Sequence, residues 1–439
     1  MGRVGAGRFV YWPGMPPANG HFLHQLPGGA RVLTAPMPDR MSASVVLMFG
    51  VGSRFEPDRI GGISHFIEHL LFKGTRRRPT AKDIAEAIEG VGGVMNASTD
   101  KELTVYWARV PMDRLQLAID VLCDIVTDSQ LAPNDIDRER MVILEEIKMY
   151  QDQPQDYVHS IFEQAMWPGH PLGRDIVGTA ESVSAVTRED LGQYIEEHYR
   201  RSRLVVGVSG GIDPDRTAEL IDQGLGLADG PAEGAYDAAP TGHSAPEVVL
   251  VEKKTEQAHI CLGTRALSYM DPDRYALDIV NTVLGEGMSS RLFLEIREQR
   301  GLAYDVHSYS RKHRDSGYFA VYMGVDPKKA EEAVMAALEE LHRIAEQEVP
   351  DAELTKAKEF TKGRLRLGLE STNAMASWLA QQLLLTGSIR TVDEVIAIVD
   401  GLTAADLQRV AARVMKAPVQ MAVIGPFSSA EPFRKTIGA

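Results

Sequence analysis

Apolar positions along this chain recur with two periods, and their alternation predicts its architecture. Short apolar runs at residues 44–50, 103–110 and 259–264 have the length of strands. Longer stretches carry helical spacing. In residues 61–74, Ile63, Phe66, Ile67, Leu70, Leu71 and Phe72 predict a helix that Gly74 would end. A second helix opens at Pro133, a residue suited to a first turn. Stepping about 100° per residue puts Glu139, Val142, Ile143, Glu146, Ile147 and Tyr150 on one face of it, with Glu145 well off that face.

The pattern repeats at long range. Glu56-Pro-Asp-Arg59 recurs as Asp271-Pro-Asp-Arg274, each after an expected strand and before an apolar helical stretch. Val110-Pro-Met-Asp113 and its following helix correspond to Val325-Asp-Pro-Lys328 and the helix after it. Both pairs lie 215 residues apart. The expectation is an α+β chain of two structurally similar α/β-sandwich domains, each a mostly antiparallel sheet covered by helices. Residues 226–246, rich in Gly, Ala and Pro, read as the linker between domains at 21–225 and 247–439, after an N-terminal extension at 1–20.

The first predicted helix carries the chemistry. His65, Glu68 and His69 form H-x-x-E-H, the inverzincin order, with the two imidazoles one turn apart on one face. Such a pair can chelate one zinc ion, while Glu68 projects beside it to take a proton from water. Two histidines and a glutamate among so many apolar neighbours would be costly to bury unless they coordinated or paired with something. A third ligand comes from the second helix, where Glu139 and Glu146 sit in the middle of an apolar stripe. Glu146 is the expected ligand, and Glu139, two turns earlier, the carboxylate that orients a histidine or the water. Glu145 and Asp137 fit an ordinary solvated face. Nitrogen and oxygen ligands would also accept manganese or cobalt.

This set, with the helix reading Arg138-Glu-Arg-x-Val-Ile-Leu-Glu-Glu146, resembles the pitrilysin and insulysin metallopeptidases, in the two-domain branch of mitochondrial processing peptidase and its bacterial relatives. Gly92-Gly-Val-Met-Asn-Ala-Ser-Thr99, Trp167-Pro-Gly-His-Pro-Leu-Gly173 and Arg297-Glu-Gln-Arg-Gly-Leu-Ala-Tyr304 extend the likeness, which runs from about residue 24 to 426. The resemblance implies a zinc endopeptidase cutting peptides or unfolded segments in an enclosed chamber, with Glu146 as zinc ligand. It also implies that Arg297 and Tyr304 reach across to a zinc domain, bind substrate backbone and support the oxyanion; read alone, they are an exposed helical arginine and a packed tyrosine. Asn96, Ala97, Ser98 and Thr99 resemble an edge strand that pairs with substrate, a loop or capping role for Asn96 being the alternative. By analogy with larger single-chain relatives, two copies would form a homodimer with composite sites. Rival readings are a non-catalytic scaffold or assembly subunit, and one subunit of a heteromeric processing peptidase. At the 215-residue offset Val280 and Leu284 replace the histidines, so the second domain is expected to hold no metal.

Composition adds exclusions. The 439 residues are 44% hydrophobic and 25% charged, ordinary globular usage for a chain long enough for two domains. A formal charge of −14 with no basic stripe argues against nucleic acid, Arg76-Arg-Arg78 reading as a solvated loop. Cys123 and Cys261, the only cysteines, lie in apolar surroundings and read as core residues, implying a reducing, cytoplasmic setting. No run approaches a membrane span. The first 38 residues hold no acid but are broken by Pro13, Pro16 and Pro17, so an irregular extension is expected rather than a targeting helix. Gly285-Glu-Gly-Met-Ser-Ser290 lacks phosphate-loop spacing and reads as a turn or rim, and His170 has no support as a ligand.

Overall fold

The computed structural model describes residues 20–230, 236–242 and 245–439. The expected N-terminal extension, Gly20 apart, and parts of the expected linker lie outside the described residues. The chain forms two compact α+β units.

The first unit contains the residues up to Ile147, Asp175–Asp237 and Gly368–Ile389. Its sheet runs β1 (Phe22–Gln25), β2 (Arg31–Pro36), β6 (Leu204–Gly210), β3 (Ser42–Phe49), β5 (Thr104–Pro111), β4 (Val94–Thr99) in spatial order. Only the β2–β6 pair is parallel among these neighbours. Leu47 of β3 lies opposite Tyr106 of β5 and Val206 of β6. Alternate residues of β3 enter different cores. Val45, Leu47 and Phe49 pack with the helices Ile63–Leu71 and Leu115–Asp128, whereas Val46 and Met48 join Leu33 and Val205 beneath Leu379, Ala380 and Leu383 of the helix Thr372–Thr386. A strand that reads as a continuous apolar run needs cover on both faces, and this one has it. Gly207 of β6 permits the close approach of that outer helix, since a Cβ there would meet the Ala376 carbonyl oxygen at 2.3 Å.

The second unit contains Lys148–Arg174, Ala238–Leu367 and Arg390–Ala439. Its sheet runs β7 (Glu247–Glu252), β11 (Gln420–Gly425), β8 (Ala258–Arg265), β10 (Gly317–Val325), β9 (Ala303–Lys312), with β7–β11 parallel and the other neighbours antiparallel. This is the order and sense of β2-β6-β3-β5-β4, so the sequence repeat is a structural one. One face packs against the helices Arg274–Gly285, Ala330–Glu346 and Ala404–Met415. The other receives Val158, Ile161 and Phe162 of the helix Pro154–Met166.

The halves therefore exchange a helix. Pro154–Met166, encoded in the first half, covers the sheet of the second unit, and Thr372–Thr386, encoded in the second, covers the sheet of the first. The contiguous halves expected at 21–225 and 247–439 are not the compact units, because each sheet is apolar on both faces and takes its outer cover from distant sequence. The passage at Asp237–Ala238 falls inside the expected 226–246 linker, whose described residues carry no helix or strand. Cys123 and Cys261 are buried free thiols, one in each unit, and burial pushes both up to about 12. Among the described residues no helix is long and apolar enough to cross a membrane.

Two helix readings need correction. The first predicted helix is Ile63–Leu71 and ends before Gly74. Gly74 serves the turn beyond it, where a Cβ would strike the Pro79 carbonyl oxygen. The second is Pro133–Asp152, but its buried residues are Ile136, Glu139, Ile143 and Ile147, while Val142 and Tyr150 are exposed. Tyr150 lies past Ile147, in the part of the helix that has passed into the other unit, so the first core does not govern its face.

Candidate metal centre

The helix Ile63–Leu71 is fixed at both its start and its buried face. Glu56, itself buried, accepts the Gly62 N–H at 2.7 Å and the Ser64 N–H at 2.9 Å, placing a carboxylate at the positive helix end. Ile63, Phe66, Ile67, Leu70 and Leu71 anchor the helix in the core. The polar face then presents His65 and His69 side by side, their ring centroids 4.6 Å apart. From the helix Pro133–Asp152, Glu146 Oε2 approaches both rings, 3.7 Å from His65 Nε2 and 3.7 Å from His69 Nε2. Glu145, next in sequence, is exposed on another face.

These two nitrogens and one oxygen suit a divalent metal. All three lie within 4.8 Å of one another, the only such group of histidine, cysteine or acidic residues among those described. Zinc bonds of about 2.0–2.2 Å to nitrogen and oxygen place tetrahedral ligand atoms about 3.4 Å apart, near the spacing here. Burial, and then the neighbouring His69, push His65 down to about 4, so its ring is neutral and its lone pair available at neutral pH. Of the carboxylates Glu68, Glu139 and Glu146, Glu139 is paired with the Lys73 ammonium, and the remaining two negative charges are what a dication would balance.

Supporting contacts extend outward. Glu139, buried in the apolar stripe, has Oε2 3.1 Å from His69 Nδ1 and accepts from Lys73 Nζ through Oε1 at 2.8 Å. Thr99 donates its hydroxyl to Glu68 Oε2 at 2.6 Å. Burial raises the Glu68 carboxyl above its usual range, opposed by the Thr99 hydrogen bond and His69, while Glu146 adds to the rise. A base with a raised pKa, held by one oxygen with its other left for water, is suited to proton transfer.

Thr99 ends the strand β4, and its hydroxyl supports Glu68 in addition. Asn96, Ala97, Ser98 and Thr99 lie on β4, which among the described residues pairs with β5 alone and forms the sheet edge. Asn96 Oδ1 accepts the Ala97 N–H at 2.8 Å, a local cap within that strand. Lys73 was absent from the expected site. Its position one turn after His69 was the only sequence signal, and without the pairing of the two helices it named no partner.

Arg297 and Tyr304 come together in the other unit. Arg297 lies in a wide-wound stretch, Phe293–Gln299, with its guanidinium 4.9 Å from the Phe293 ring centre and 5.3 Å from that of Tyr304. Tyr304 is 74% exposed, not packed. Val280 and Leu284, in the histidine positions of the repeat, are fully buried core residues. His170 accepts the Leu172 N–H at Nδ1 and places Nε2 3.2 Å from the Ala238 carbonyl oxygen. Arg76, Arg77 and Arg78 are not merely solvated, because they pair with Asp120, Asp124 and Asp128 along one helix. Ser289 in the Gly-rich turn accepts from Lys356.

Fold and site together define a two-domain metallopeptidase-like protein. The family model for Insulinase (Peptidase family M16) matches residues 31–180, and that described as Peptidase M16 inactive domain matches 185–360. The chain belongs to the M16 peptidase family, in its pitrilysin-type two-domain form. A protein named as an uncharacterized zinc protease from Streptomyces coelicolor is 40% identical over 417 residues, covering 93% of this chain and 90% of that one. One so named from Bacillus subtilis is 37% identical over 382 residues, covering 87% and 92%. A Helicobacter pylori protease shares the fold with a TM-score of 0.86 at 24% identity, over 92% of this chain and 99% of that chain. A Pseudomonas fluorescens structure described as a peptidase M16 inactive domain gives 0.86 at 18%, over 93% and 99%.

Proposed function

We propose that the chain is a zinc-dependent endopeptidase that hydrolyses peptides or unfolded protein segments. The observation that carries this reading is the convergence of His65 Nε2, His69 Nε2 and Glu146 Oε2, with Glu68 held beside them by Thr99. A zinc ion bound there supplies Lewis acidity, acidifying water and polarising the scissile carbonyl. Glu68 takes the proton of the attacking water and returns it to the departing amine. Asn96, Ala97, Ser98 and Thr99 offer the main chain of the sheet edge to an extended substrate. Arg297 and Tyr304 are assigned the substrate backbone and the oxyanion, roles that Tyr304 has the exposure to fill. A purely structural assembly subunit would need neither an intact ligand triad nor a positioned base.

The test is elemental analysis of the purified chain combined with digestion of a peptide library. Glu68→Gln should keep zinc and lose about 10²–10⁴-fold in kcat. Glu146→Gln should weaken zinc binding strongly, and Glu145→Gln should leave it near the parent value. Full activity in Glu68→Gln, or zinc loss confined to Glu145→Gln, would refute the assignment.

A further inference from the structure

His69 is gripped at both ring nitrogens by carboxylates of one helix. Glu146 lies at Nε2, toward the metal position, and Glu139, two turns earlier, lies at Nδ1. The two side chains thus bracket the ring, with Glu139 within hydrogen-bond distance at 3.1 Å and Glu146 farther, at 3.7 Å. Among the described residues His65 has no equivalent support, its buried Nδ1 meeting no hydrogen-bond partner there. Among the described residues, orientation of the histidine pair by a side-chain hydrogen bond at Nδ1 therefore comes from the His69 side.

What turns Glu139 toward His69 is Lys73. A carboxylate with two equivalent oxygens can rotate, and one held only by an imidazole would leave its second oxygen unsatisfied in a nearly closed site. Lys73 Nζ takes Oε1 at 2.8 Å and leaves Oε2 for Nδ1. The lysine is well placed for this. It follows the end of the helix Ile63–Leu71, and its backbone N–H bonds the Leu70 carbonyl, which keeps it on the turn next to His69. Its side chain is 28% exposed and that of Glu139 only 5%, so the pair differs from the exposed ion pairs that contribute little. Lys73 also closes the charge balance: a dication and one ammonium match the three carboxylates, whereas without the lysine the metal-bound cluster would keep a net negative charge.

We infer that Lys73 is a positioning residue for the metal centre, acting through Glu139 to set the His69 ring and hence the affinity for zinc. This rests on the zinc reading above, and the experiment separates the two. Zinc dissociation constants of the full chain are measured by chelator competition for the parent, Lys73→Met, Lys73→Arg, Glu139→Gln and the Lys73→Met/Glu139→Gln double variant, with thermal unfolding of each zinc-free protein alongside. Lys73→Met should weaken zinc about 10-fold or more, the range found for partners of metal-bound histidines. Lys73→Arg should restore most of the loss. In the Glu139→Gln background the lysine substitution should do almost nothing, because its path to the metal is already cut. A general folding defect would instead lower zinc-free stability and weaken zinc in both backgrounds, which would overturn the inference. So would an unchanged dissociation constant in Lys73→Met. If that variant does not fold, the Lys73→Arg and Glu139→Gln measurements decide: parental zinc affinity in Glu139→Gln overturns the path through Glu139. A parent chain that takes up no zinc would remove the zinc reading as well as this one.

Discussion

His198 illustrates how burial sets a residue's pH response. It is 5% exposed, its Nδ1 accepts from Arg203 at 2.6 Å, and burial followed by the Arg203 charge pushes it down from an ordinary 6.5 to about 4. A histidine depressed in the folded state binds protons preferentially when unfolded. Its contribution is complete above 6.5 and is lost as pH falls toward 4, costing roughly 2 kcal/mol at pH 5. Urea midpoints of the zinc-free parent should therefore fall between pH 7 and 5, and His198→Gln should flatten that slope; parallel curves would show that His198 does not titrate as described. The same scale shows what sequence can carry. His65, Glu68 and His69 could be named because helical spacing groups them on one helix, and Glu139 and Glu146 because a carboxylate in an apolar stripe demands a partner. Lys73 and the Thr99 hydroxyl were not, since their roles depend on which elements meet.

The three strands read from apolar runs, β3, β5 and β8, fall within about two residues of their expected bounds, because short apolar runs bounded by turns have few alternatives. What the β3 run could not name was its second cover. An apolar strand asks for burial on both faces, but nothing local says that residues 372–386 will provide it. The edge position of β4 carries a prediction of its own. A peptide added to that edge engages it through alternate amides, as any strand does. Single N-methylation scanned along a good substrate should raise KM at every second position and spare those between. Uniform sensitivity, or efficient cleavage inside a stably folded domain, would count against strand addition.

Across the whole chain, the 215-residue repeat announced two similar domains but not their exchanged helices, because periodicity records similarity and not which half a helix covers. The exchange makes neither half self-sufficient. Removing Thr372–Thr386 would uncover Leu33, Val46, Met48 and Val205 together, and with each large apolar side chain worth about 1.5–3 kcal/mol the loss rivals the entire stability of a typical domain. Fragments 1–237 and 238–439 should each be aggregated or loosely folded when expressed singly, and should give a soluble complex when co-expressed. Gel filtration and near-ultraviolet circular dichroism decide the matter; a folded, monomeric 1–237 fragment would contradict it.

The same exchange imposes a schedule on synthesis. The last strand of the first sheet ends at Gly210, yet the helix that seals its outer face ends at Thr386. At 5–20 residues per second, a ribosome takes about 10–35 s to cover that interval. Throughout it the nascent chain displays an apolar sheet surface that its own sequence cannot yet hide, and a holdase chaperone has its opportunity there.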